Sequence, residues 1–351
     1  MNADVLAAMR EAGEYFVDIV EFRDKACAAI AAMTGNEAAF VSSGAGACVV
    51  LAAASLICGG DPALIAMLPD ASKCEKNEII VFASQTEIPM LPYWRIIGFS
   101  GARIVKIADD LDSLRKEING RTAGVFFFLA DLYEAGLPRI EEIIQVAHER
   151  NVQVIIDAAA QLPPKANLWH YTRDLGADGI IFSGGKYIMG PQSTGLFLGR
   201  SEIVRRCAEL SNPNCHIGRP YKVGKEEYAA FYAAIKHFVE ADEDQAKATQ
   251  HKHLDYIEDK LADCSHISIK RVNEGRLGQD APRLLIDFLD GRQGCECARF
   301  MYEHCDPAID IGYFRPNDPS GNANQIFVNS INLREHELPH IVHSIQRFLA
   351  L

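Results

Sequence analysis

Lys186 lies in a run of small residues, SGGKYIMGPQSTG, immediately after a strand-like stretch. An amine just past a strand end sits at the carboxyl edge of a sheet, where open α/β folds place their ligands. Partly desolvated there, it becomes a nucleophile able to form a Schiff base with an aldehyde. A surface lysine in a glycine turn is the commoner occupant of such a place, but the two glycines before it and GPQSTG after it weigh against that. Asp157 closes the apolar run VQVIID, one strand–helix–strand unit before Lys186. A carboxylate at the exit of a buried strand is costly unless paired. A helix N-terminus or an arginine would be an ordinary partner. The sharper alternative is a protonated pyridine nitrogen, which a carboxylate must hold to keep a pyridoxal ring electron-withdrawing. Ser42-Ser43-Gly44-Ala45-Gly46 stands at a strand-to-helix turn, where free amides and hydroxyls can cradle a phosphate, although the same residues also read as an ordinary helix cap. The G-K-[ST] ending of a nucleotide-binding P-loop and the G-x-G-x-x-G dinucleotide turn are both absent, which disfavours ATP, GTP and nicotinamide cofactors. Together the three features fit a ligand with a phosphate at one end, a ring nitrogen at the other and an aldehyde between.

The elements that must position these residues alternate between residues 38 and 200. Short apolar runs at 38–42, 79–83, 103–107, 124–129, 153–157, 179–183 and 195–199 are mostly β-branched or aromatic, as strands covered on both faces should be. Amphipathic stretches separate them. In LPRIEEIIQVAHERNVQ, Pro138 can open a helix whose Ile140, Ile143, Ile144 and Ala147 share one face. The pattern predicts a three-layer α/β fold with a mainly parallel seven-stranded sheet and crossover helices. Beyond residue 200 a long helical pattern spans 225–261, with an apolar stripe of Tyr228, Phe231, Tyr232, Ile235 and Phe238. Strand candidates follow at 268–272, 283–288, 308–311 and 325–329, with a closing helix over 335–351. This predicts a large domain over 1–220, and a connecting helix with a smaller α+β domain over 221–351.

The chain has 351 residues and a formal net charge of −12, which repels a phosphate backbone; nucleic acid is not expected as a partner. Residues 38–60 carry no charge, long enough to suggest a membrane span. Ser42, Ser43, Gly44 and Gly46 interrupt that run early and Gly59-Gly60-Asp61-Pro62 stops it, so it reads as a strand, a turn and a buried small-residue helix. The 10 cysteines show no C-x-x-C spacing, and Cys295 and Cys297 are too close for a zinc knuckle. His148, His170, His216 and His237 form no metal-ligand grouping. With no basic segment leading into an apolar core at the start, a cytoplasmic protein with free thiols is expected.

At this point the sequence resembles the pyridoxal-phosphate enzymes of the aspartate-aminotransferase fold (fold type I). Within them it is similar to the branch of D-glucosaminate-6-phosphate ammonia-lyase and the selenocysteine-synthase-related, seryl-tRNA selenium transferase-like proteins. The stretches that carry the likeness include MTGNEAAFVSSGAGA, GGDPALIAMLPD, KNEIIV, IIDAAAQLPP, GADGIIFSGGKYIMGPQSTGLFLGR and GRPYKVGKEE. The resemblance implies pyridoxal 5'-phosphate as cofactor, bound covalently by Lys186 and paired at its ring nitrogen with Asp157. Ser183 would hold the cofactor phosphate together with Ser43, Gly44, Ala45 and Gly46, and Gln192 would complete the surroundings. Relatives commonly place an aromatic residue or histidine on the cofactor ring where this chain has Gln85, which the resemblance makes a cofactor-binding residue whose amide covers the ring face with less aromatic overlap. In GRPYKVGK, Arg219, Lys222 and Lys225 could receive a substrate anion, or form a solvated loop; the resemblance also implies a homodimer or larger homo-oligomer in which this segment reaches the partner's site. Arg315 is a candidate for a substrate carboxylate. The implied activity is a lyase acting on a small, phosphorylated amino acid or amino sugar acid by Cα-proton abstraction and β-elimination. Transamination and racemisation share its first steps. Selenium transfer to tRNA is disfavoured by acidity, and a non-catalytic, cofactor-binding regulator by the absence of a DNA-binding appendage.

Overall fold

The computed structural model describes residues 1–87, 92–275, 277–315 and 321–351, apart from the side chains of 132 and 133. The chain divides into two compact units, 1–240 and 241–351.

The first unit is built on a seven-stranded sheet of β1 (Ala38–Ser42), β2 (Glu78–Phe82), β3 (Arg103–Ile107), β4 (Thr122–Phe128), β5 (Gln153–Asp157), β6 (Gly179–Ser183) and β7 (Gly195–Gly199). Their order is β1-β7-β6-β5-β4-β2-β3. The neighbours β6-β5-β4-β2-β3 run parallel, whereas β7 runs antiparallel to both β1 and β6. All residues of β2 and β4 are buried, which their near-continuous apolar sequences require of strands covered on both faces. Helices α1 (Ala3–Gly13), α2 (Ile19–Thr34) and α3 (Ala45–Cys58) belong to this unit. Every residue of α3 from Ala47 to Cys58 is buried, so the uncharged stretch is a core helix. Its close approach depends on Gly124 of β4, where a Cβ would stand 2.6 Å from Leu56 Cδ1. Among the described residues no helix is long and apolar enough to cross a membrane.

The helical pattern over 225–261 is two helices, Lys225–Glu240 and Glu243–Leu261. Asp242 starts the second by accepting from Gln245 N–H at 3.1 Å. The expected grouping of the first of these helices with the small domain is not what the packing shows. Tyr228, Phe231, Ile235 and Phe238 belong to the same core cluster as β4–β7, so the division falls after Glu240 and not at 220. The second unit has a four-stranded antiparallel sheet of β8 (Ile267–Val272), β9 (Arg283–Phe288), β10 (Gly312–Tyr313) and β11 (Gln325–Asn329), ordered β10-β11-β9-β8. The strand expected at 308–311 is displaced to the two residues of β10. Leu284, Ile286, Ile326 and Val328 face the helices of this unit in its core.

Candidate active site

Because β7 runs against both of its neighbours, β1 and β6 point the same way as β5 and β4. The exits of these four strands therefore share one sheet edge. Ser42 and Ser183 are both in register with Gly195, the first residue of β7. Asp157 pairs with Ile181 on one side and Phe128 on the other. The phosphate-type turn, Ser183, the lysine turn and Asp157 are thus brought together, as the sequence expects.

The turn after β1 is shaped by glycine. Gly44 has φ +91° and ψ 160°, a region that essentially only glycine enters. It starts α3 without a side-chain cap, and Cys48 N–H is the first to bond back, to the Gly44 carbonyl at 3.3 Å. The amides of Ala45, Gly46 and Ala47 in the first turn have no intrahelical acceptor and carry the positive end of the helix dipole. Residues 43–46 are half-buried, so the start of the helix is only partly covered by protein. Gly195 lets the turn lie flat on the sheet edge, since a Cβ there would stand 2.2 Å from the Gly44 carbonyl carbon.

The lysine turn is equally constrained. Gly184 N–H bonds to the Thr194 carbonyl at 2.8 Å, Gly190 N–H to the Gly184 carbonyl at 2.9 Å, and Met189 N–H to the Lys186 carbonyl at 3.0 Å. A Cβ on Gly184 would meet Thr194 Oγ1 at 2.2 Å and the Phe231 ring at 2.7 Å. Lys186 is exposed as a residue, yet its surroundings displace enough water to hold its ammonium below the ordinary lysine value, opposed by the charge of Asp157. Burial pushes the Asp157 carboxyl up from 3.8 to about 6, against the Ala159 N–H that it accepts at 3.0 Å and the attraction of Lys186. The two groups are therefore electrostatic neighbours, each destabilised in its charged form. A protonated ring nitrogen against Asp157 would relieve that penalty, and Lys186 is accessible to an aldehyde.

Other expected site residues fall as follows. Ser183 is half-buried at the β6 exit and its N–H bonds to the Ala159 carbonyl at 3.3 Å; among the described residues none bonds its Oγ. Gln192 is exposed in the lysine turn, its Cα 2.5 Å from where a Gly185 Cβ would stand. Gln85 is only 1% exposed, and its amide is bonded to the Phe128 backbone, from Nε2 to the carbonyl at 2.8 Å and from the Phe128 N–H to Oε1 at 3.1 Å. Arg219 and Lys222 are exposed and have no ion-pair partner among the described residues. Between them the Tyr221 carbonyl accepts from Ser42 Oγ at 3.5 Å, which places this part of the segment beside the β1 exit. Lys225 does not join them: its ammonium donates to the Ala12 carbonyl at 2.7 Å and pairs with Glu226. Arg315 is exposed in the second unit, beside the undescribed residues 316–320.

Two contacts were not foreseen. One is the Gln85–Phe128 pairing. The other is Glu227, which accepts from Ser193 Oγ of the lysine turn and from Gly224 N–H at 2.9 Å. The second had a local signal, since glutamate three residues into a helix commonly bonds back to its start. Among the described residues no group of His, Cys, Asp and Glu could hold a metal ion.

The residues present fit pyridoxal phosphate: a free helix N-terminus with adjacent hydroxyls for the phosphate, a destabilised, half-buried carboxylate for the ring nitrogen and an accessible amine. Comparisons with known proteins agree. The profile of the aminotransferase class-V family matches residues 1–279. A 5'-C-glycyluridine monooxygenase-decarboxylase from a Streptomyces species is 27% identical over 295 residues, covering 82% of this chain and 71% of that protein. A D-glucosaminate-6-phosphate ammonia lyase from Salmonella typhimurium is 28% identical over 240 residues, or 67% of this chain and 62% of the lyase. A solved structure of D-glucosaminate-6-phosphate ammonia-lyase superposes with a TM-score of 0.84 at 21% identity, covering 100% of this chain and 91% of that one, which shows a common fold.

Proposed function

This chain belongs to the aminotransferase class-V family, and from that premise we propose that it is a pyridoxal-phosphate-dependent lyase releasing ammonia from a small, phosphorylated amino acid or amino sugar acid. The observation that carries the reading is a second set of anion donors. The 43–46 turn and Ser183 suit the cofactor phosphate, while Arg219 and Lys222 stand unpaired at the same β1 exit. A substrate with its own distant phosphate needs such a set. Arginine suits it by shape and lysine by point charge.

When bound, pyridoxal phosphate supplies an electron sink for the charge left at the substrate Cα. Asp157 keeps that sink effective by accepting the ring N–H. Lys186, held below its ordinary pKa, is poised to take the Cα proton. The same ammonium then delivers that proton to the departing β-hydroxyl, which leaves as water. Hydrolysis of the released enamine gives the keto acid and ammonia, so atoms and charge balance without another reactant. The likeness to the ammonia lyase supports this reading, and kinship with class-V enzymes supports a cytoplasmic homodimer or larger homo-oligomer acting on a small molecule.

Arg219→Ala tests it. Ammonia release from a 6-phosphorylated amino sugar acid should fall about tenfold to hundredfold, as expected for losing a charge-assisted contact of roughly 1.5–3 kcal/mol. The dephosphorylated substrate and cofactor binding should be little affected. Equal loss on both substrates, or turnover that requires a keto-acid acceptor and frees no ammonia, overturns the lyase reading in favour of a transaminase.

A further inference from the structure

We propose that Gln85 is a positioning residue: its side-chain amide stands in for a missing strand and fixes the exit of β4 beside Asp157. Strands β2 and β4 pair only from Glu78↔Thr122 to Ile80↔Val125. Beyond that point β2 follows β3, and Ala83 N–H bonds to the Ile107 carbonyl at 2.8 Å before the chain turns through Ser84–Thr86. β4 continues for three more residues against β5, as far as Phe128↔Asp157. Backbone groups of successive strand residues point to alternate sides. Leu129 N–H bonds to the Asp157 carbonyl at 2.8 Å, so the N–H and carbonyl of Phe128 point the other way, into the gap that β2 has left. Gln85 reaches into that gap with one donor and one acceptor, as a strand residue would, and binds both groups. Buried backbone groups need partners of this kind.

The consequence is lateral. Phe128 is the direct sheet neighbour of Asp157, and the residue after it bonds to the Asp157 carbonyl. Holding Phe128 therefore holds the carboxylate that must meet the ring nitrogen. A side chain so engaged is committed to the backbone, in contrast to an aromatic residue lying on the cofactor ring.

The cofactor part of this inference rests on the pyridoxal-phosphate reading, and the tests separate the two. Gln85→Glu is the central variant. A protonated carboxyl has one donor and one acceptor and reproduces both bonds, whereas the ionised form loses the donor and buries a charge. Asp109, which accepts from the neighbouring Ser84 N–H at 3.2 Å, adds to the cost of that charge. Cofactor affinity, followed by absorbance, and hydrogen exchange of the Phe128 amide should match wild type at low pH and degrade together as pH rises, with a titration that wild type lacks. Gln85→His and Gln85→Phe, which offer a ring but cannot bind both backbone groups, should weaken cofactor binding at every pH. Tighter binding in either overturns the proposal and assigns the position to ring stacking. A pH-independent Gln85→Glu variant overturns it as well. In wild type the Phe128 amide should exchange as slowly as that of Leu129, with or without cofactor; fast exchange defeats the strand-mimic geometry even where variants fail to fold. Slow exchange in a protein that binds no pyridoxal phosphate would leave the strut standing and sink the cofactor reading instead.

Discussion

Asp157→Asn in the cofactor-free protein should stabilise the fold while disabling the enzyme. The Asp157 carboxyl ionises near 3.8 in an unfolded chain and at about 6 in the folded one. A rise of that size corresponds to an ionisation penalty of about 3 kcal/mol. Well below pH 3.8 the group is protonated in both states and contributes nothing. Between 4 and 6 the native state binds more protons than the unfolded chain, so stability falls as pH rises, and above 6 the whole penalty is present. Asparagine cannot ionise, yet its carbonyl can still accept the Ala159 N–H that Asp157 accepts at 3.0 Å. At pH 8 the variant should therefore be more stable than wild type by up to about 3 kcal/mol. That figure is already net of the attraction to Lys186, and any imperfection in how asparagine fits the site lowers it, making it an upper bound. Both tryptophans, Trp94 and Trp169, lie in the first unit, so their fluorescence during urea unfolding reports on the unit that holds the site. The gap should close as pH falls towards 4. Added pyridoxal phosphate should stabilise wild type more than the variant, because only the carboxylate gains a charged partner. Turnover of the variant should drop by orders of magnitude. A cofactor-free variant less stable than wild type at pH 8, or a gap that does not change with pH, would refute the reasoning.

Lys186→Ala should abolish borohydride fixation of pyridoxal phosphate to the chain, which in wild type should appear on the peptide containing Lys186; a label on another lysine in folded protein would end its assignment as nucleophile. Gly195→Ala should displace the Gly44 turn, because its Cβ would sit 2.2 Å from the Gly44 carbonyl carbon. Overpacking of this kind costs roughly 1–3 kcal/mol, and cofactor affinity should fall with it, while unchanged affinity would mean the turn does not carry the phosphate.

The seven strands of the large sheet were legible because each is a short apolar run bounded by polar or glycine residues, and five of the expected ranges coincide with the observed ones. The turns that gather the candidate site residues were legible for a related reason. Gly44, Gly184 and Gly195 meet local steric demands that no other residue satisfies, and those demands mark the turns at the strand exits. Less visible was anything set by packing at a distance. The stripe on 225–240 revealed a buried face but not which core it joins, and helical periodicity runs across Asp242 without registering the break. Lys225 looked like Arg219 and Lys222 in sequence and differs because the Ala12 carbonyl and Glu226 lie within its reach.

Gln85 shows the limit most sharply. Its environment is decided by where β2 parts from β4, and that depends on strand order, with β2 lying between β3 and β4. The same topology explains why the site assembles at all. If β7 ran parallel to its neighbours, the chain would need a long crossover after Ser183, and the lysine turn could not close within residues 184–194. Its reversal places Gly195 between Ser42 and Ser183 in register. One short turn thereby carries the lysine, abuts the 43–46 turn and stays one strand from Asp157. The chemistry proposed for these residues rests on their types, while their convergence is a property of one reversed strand.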